Sequence, residues 1–133
     1  MLEALKSIDI PPRDWSYEGL VAMRAMRKQQ EDQMAKVGGG PKTTTKTITM
    51  RDGYESEIRI HKPSNSSSES GPLVVLMYGG GFIMGNNSQL SPYAQAVAEL
   101  YGATVINLNY RLAPENPFPA APNDCYDLSL IHI

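Results

Sequence analysis

Residues 73–85, LVVLMYGGGFIMG, restrict this chain more than any other segment. An apolar run rich in branched side chains ends abruptly in Gly79, Gly80 and Gly81. A run without polar alternation belongs in the middle of a sheet covered on both faces. Glycine then lets the backbone leave the strand at dihedral angles that other residues resist, and leaves its amides bare. Bare amides at the end of a buried strand suit a developing negative charge.

The flanking sequence gives that strand a setting. Asp14 or Ser16 can cap a helix running to about Val37, with Tyr17, Leu20, Met23 and Met26 near helical spacing and residues 38–41, GGGP, ending it. Arg24, Arg27, Lys28 and Lys36 interleave with Glu31 and Asp32, which reads as a solvated face. Met23, Met26 and Met34 read as packing residues rather than the lining of a ligand pocket. Residues 42–50 and 54–61 alternate around Asp52-Gly53, which predicts a β-hairpin at an exposed sheet edge. His61, at the end of that hairpin, reads as an exposed polar residue. The stretch 63–72, PSNSSSESGP, reads as a surface loop. Ser91, with Pro92 after it, predicts the cap of a helix whose apolar face holds Tyr93, Ala96, Val97, Leu100 and Tyr101 and which closes at Gly102. Residues 103–108 are a second buried strand, so strand, helix and strand form a parallel βαβ unit. The fold class is therefore α/β: a parallel βαβ unit with an antiparallel hairpin edge.

Two nucleotide motifs fail on this loop. A dinucleotide fingerprint counted from Gly79 meets Met84 where glycine is needed, and a phosphate loop ending at Gly85 meets Asn86 where lysine is needed. The surviving reading is the glycine-rich loop between the third strand and first helix of lipases and esterases, here Tyr78-Gly79-Gly80-Gly81-Phe82. With Tyr110-Arg111-Leu112-Ala113-Pro114-Glu115 and Phe118-Pro119-Ala120-Ala121 after the next strand, the chain resembles the hormone-sensitive-lipase-like esterases of the α/β-hydrolase fold over residues 73–127. That resemblance implies a carboxylesterase-type serine hydrolase acting through an acyl-enzyme on a small-molecule ester, with no metal or cofactor. It implies that Gly80 and Gly81 are oxyanion donors, that Gly79 shapes the turn, and that 110–115 is scaffold rather than chemistry. It also implies that residues 1–41 form a cap over a hydrolase domain at 42–127. The family places histidine before the glycines where this chain has Tyr78.

Ester hydrolysis in this fold needs GxSxG, then Asp or Glu, then His. No GxSxG occurs in the 133 residues, and His132 follows no serine–acid pair that could use it. The chain alone is expected to be inactive, the N-terminal part of a longer enzyme. The alternative is a hydrolase-fold small-molecule receptor that kept a pocket without the triad. Residues 128–133, LSLIHI, are expected not to continue the helix that should follow Asp124. Their codons can be read as the start of a common sequencing adapter, which would make them a non-native tail. In that fold the strand preceding the nucleophile lies beside residues 73–78; without it an apolar edge faces water.

A net charge of −2 argues against nucleic acid as a partner. No stretch approaches the roughly 20 apolar residues of a membrane span. Cys125 is the single cysteine, so no internal disulfide forms, and with no signal-like start the reading is cytoplasmic.

Overall fold

The computed structural model describes residues 14–36, 43–65 and 71–131. The glycine terminator at 38–41, loop residues 66–70, the Met34 side chain and His132 lie outside the described residues. Eight elements follow in order: α1 (Tyr17–Lys36), β1 (Thr44–Thr49), β2 (Glu55–His61), β3 (Leu73–Leu76), a 3-10 turn (Asn87–Leu90), α2 (Ser91–Tyr101), β4 (Thr104–Leu108) and α3 (Ala120–Ile131).

The four strands form one sheet in the order β1-β2-β4-β3. β1 and β2 are the hairpin that Asp52-Gly53 predicts, antiparallel with Ile48 opposite Ser56. β2 runs antiparallel to β4, and β3 runs parallel to β4 with Val75 opposite Ile106. The strand before the glycines ends at Leu76, two residues sooner than the apolar run suggests. Among the described residues nothing pairs with the other edge of β3.

β4 owes its unbroken apolar pattern to helices on both faces, whereas β3, expected to be buried, lies at the sheet edge with Leu73 exposed and Val74 to Leu76 half-buried. Ile58, Ile106 and Leu108 pack with Tyr78, Tyr110 and Leu128 on one face. Val105 packs with Ala94, Ala98 and Ala103 on the other, joined by Val74, Leu76 and Val97. An open apolar groove between β3 and α2 is lined by Val74, Leu76, Tyr93, Val97, Tyr101 and Ala103, and none of its residues belongs to the glycine loop.

Several local expectations change. Ser16 begins α1 as expected, its Oγ accepting from Gly19 N–H at 3.1 Å. Ser91, however, is already helical. The 3-10 turn before it is capped by Asn86, which accepts from Ser88 N–H, and α2 has Leu90 at its cap without a side-chain bond. Gly102 ends α2 in the left-handed conformation with φ of 60°. Residues 128–131 do continue the final helix: α3 runs to Ile131, and Leu128 is fully buried in the core. An apolar residue seven positions after Ala121 returns to the same helix face, which is why Leu128 joins that core.

His61 is also corrected: it is fully buried, not exposed. It faces α2, and its Nε2 lies 3.4 Å from Asn107 Nδ2. Burial, with Arg59's charge adding to it, holds the imidazole below its ordinary 6.5, although the nearby Gln95 carboxamide offsets part of this. The unfolded chain therefore takes up a proton near 6.5 that the folded chain refuses. Stability from this group is complete above pH 6.5 and is lost as the pH falls through that value toward the folded pKa. The urea midpoint is expected to drop between about pH 7.5 and about pH 5.5, and His61→Gln should flatten that drop.

Candidate functional site

Gly79, Gly80 and Gly81 lie exposed just beyond β3. Among the described residues no acceptor takes a hydrogen bond from their amides. The tight position is Gly80, not Gly79. A Cβ on Gly80 would lie 1.9 Å from Met84 O, whereas one on Gly79 would meet nothing within 4 Å. Gly81 needs glycine for a different reason, its φ of 62°. The turn-shaping expected of Gly79 therefore falls to Gly80 and Gly81.

Carbonyl bonds set where the loop's amides point. Gly80 O accepts from Ile83 N–H at 3.2 Å and Met84 N–H at 3.0 Å. In a trans peptide the C=O and the following N–H point in opposite directions. Holding Gly80 O on this turn therefore aims Gly81 N–H away from it. Tyr78 O accepts from the Tyr110 hydroxyl at 2.6 Å, which fixes Gly79 N–H by the same geometry.

Tyr78 and Tyr110 form a reciprocal pair. The Tyr78 hydroxyl donates to Tyr110 O at 2.7 Å while Tyr110 returns the bond, and the rings stack 4.1 Å apart at 6°. Burial pushes both phenols above their ordinary 10.0, so both remain neutral donors. This pair ties the strand end before the glycines to the start of the 110–115 stretch. Gly85 makes room for it, since a Cβ there would lie 2.5 Å from the Tyr78 ring. Phe82, with φ of 63°, continues the loop; its carbonyl accepts from Ala113 N–H at 2.9 Å.

The 110–115 stretch is held from beneath. Asp124, fully buried, accepts from Arg111 N–H at 2.9 Å and from Nη2 at 2.6 Å. Arg111 Nη1 reaches Asp52 Oδ2 at 2.7 Å, and its guanidinium lies over the Tyr54 ring at 4.5 Å. These carboxylates raise the Arg111 pKa further above that of a free guanidinium, Asp124 contributing most. The hairpin turn, the 110–115 stretch and α3 are thus joined at one cation.

Arg24 departs from the solvated face expected of its helix. Its Nε and Nη2 donate to Ile83 O at 2.9 and 2.7 Å, and Nη2 also donates to Ala113 O. Nη1 grips both Glu115 oxygens at 2.7 and 2.8 Å, which holds the Glu115 carboxyl below its ordinary 4.5. Leu20, one turn earlier, is buried, while Met26 is exposed. No group of three or more His, Cys, Asp or Glu able to hold a metal occurs among the described residues, and no described helix is long and apolar enough to cross a membrane.

Residues 74–131 match the family model for the alpha/beta hydrolase fold. Hormone-sensitive lipase of Ictidomys tridecemlineatus is 32% identical over 90 residues, a match spanning 58% of this chain and 12% of that one. A protein named FAD-linked oxidoreductase pytB, from Aspergillus terreus, is 36% identical over 86 residues, but the match spans only 10% of its length and 65% of this chain. The hyperthermophilic esterase of Pyrobaculum calidifontis superposes with a TM-score of 0.76 at 30% identity, covering 98% of this chain and 40% of that one. The chain thus spans well under half the length of these relatives, and the sheet it carries is an incomplete one. The chain therefore carries part of an α/β-hydrolase fold, and it is similar to hormone-sensitive lipase and to esterases of that fold.

Proposed function

We propose that this chain is part of a carboxylic ester hydrolase that works through an acyl-serine, and that Gly80 and Gly81 supply its oxyanion donors. The observation that carries this reading is an exposed glycine loop whose amides find no acceptor among the described residues, in a turn fixed by Gly80 O. Attack on an ester carbonyl turns its oxygen into an oxyanion, and each preorganised donor is worth about 2.7–4 kcal/mol in the transition state. The serine, acid and histidine come from polypeptide outside these 133 residues. No cofactor is required. The receptor reading draws its support from Tyr78 in place of histidine. The Tyr78–Tyr110 pair weakens that support, because it holds the loop without a histidine.

The test is to recover the transcript beyond residue 133, express its product and the present chain, and assay short and medium p-nitrophenyl esters. The longer product is expected to carry GxSxG followed by an acid and a histidine, and to show turnover blocked by a serine-directed inhibitor. The 133-residue chain should show none above background. A longer product with the serine or histidine replaced would instead favour the receptor, and inhibitor-sensitive hydrolysis by the present chain alone would refute the division of roles.

A further inference from the structure

We propose that Arg24 is a positioning residue for the oxyanion loop, so that α1 braces the reaction centre instead of only covering the substrate. The inference rests on the esterase reading. Arg24 has five N–H donors and makes five contacts: two to Ile83 O, one to Ala113 O and two to Glu115. The partners lie 59 to 91 residues away in sequence, so none is a local helix contact. Ile83 is held from both ends, its carbonyl by Arg24 and its amide by Gly80 O. Gly80 O in turn fixes the direction of Gly81 N–H across the trans peptide. Two peptide units therefore separate the guanidinium from the donor that would meet the oxyanion. The same cation secures Ala113 and Glu115, so it clips the loop to the 110–115 stretch that also holds it through Tyr110. A planar fork is needed, because a lysine ammonium cannot grip a carboxylate in two places and reach two carbonyls at once.

Two readouts on Arg24→Leu and Arg24→Lys separate this role from general stability. The first is amide exchange in the 133-residue chain at low micromolar concentration. Ile83 and Met84, which bond to Gly80 O, should exchange about tenfold faster in Arg24→Leu, with the β2–β4 ladder unchanged. The second is ester kinetics of the longer product. There kcat should fall about tenfold to a hundredfold with KM within about twofold, and Arg24→Lys should lie between. Unchanged exchange at Ile83 and Met84 overturns the brace. Faster exchange with unchanged kcat overturns its link to catalysis. A longer product that hydrolyses no ester with Arg24 intact defeats the esterase reading instead, and leaves the exchange result to judge the brace alone.

Discussion

Gly80→Ala is expected to abolish measurable ester turnover in the longer product, a loss of at least about a hundredfold in kcat. The added methyl group would sit 1.9 Å from Met84 O and 2.6 Å from its carbonyl carbon, which is backbone that cannot swing aside as a side-chain tip can. Relief requires the turn to open. Opening it breaks the bonds from Ile83 and Met84 to Gly80 O, and with them the direction of Gly81 N–H. Gly79→Ala is the control, because its new Cβ would meet nothing within 4 Å. If Gly79 supplies only its amide, kcat in that variant stays within about tenfold of the parent, whereas a substrate seated against Gly79 Cα would make the two substitutions equally damaging. The assay is p-nitrophenyl ester hydrolysis with both variants at matched concentration. Wild-type kcat in Gly80→Ala would remove Gly80 from the site.

The loop was legible in the sequence because its constraint is local: an apolar strand gives way to three glycines, although the strand itself ends at Leu76, two residues short of them. The hairpin was legible for the same reason, since Asp52-Gly53 and two alternating runs need no distant partner. Tyr110 and Arg111 entered through a resemblance, but what they grip did not, because Asp52 and Asp124 lie on elements that meet only in the folded sheet. Arg24 was misread on the same grounds. Among basic neighbours on a polar helix face it carries no local mark, and its partners are 59 or more residues away. His61 misled in the opposite direction. It closes an alternating strand whose outer positions look solvated, and only the packing of α2 across β2 and β4 buries it. Leu128 differs again: it is buried through a helical repeat that it shares with Ala121.

The pair at the base of the 110–115 stretch carries the second large effect. Arg111→Met should destabilise the chain by about 3–5 kcal/mol, the cost of leaving one member of a buried ion pair without its partner. Asp124 is fully buried, and among the described residues the hydrogen bonds to its carboxylate come from Arg111; the substitution leaves the Arg111 backbone N–H. Methionine can fill the space of the side-chain stem, so lost packing is a small part of the effect. Asp52 is the contrast: it meets the same guanidinium, but its side chain is 46% exposed, and Asp52→Ala should cost less than about 1 kcal/mol. With a urea dependence of about 1–3 kcal/mol per molar, the Arg111→Met midpoint falls by more than about 1 M, or the chain is unfolded without urea. Circular dichroism across a urea series checks this. The double variant Arg111→Met with Asp124→Leu distinguishes charge burial from shape: removing both charges should recover much of the loss, because an apolar pair of similar volume restores packing without stranding an ion. A double variant as unstable as Arg111→Met alone would mean that the bonds organise the 110–115 stretch in a way packing cannot replace. The Tyr78–Tyr110 pair and the glycine loop above it would then depend on Arg111 as much as on Arg24.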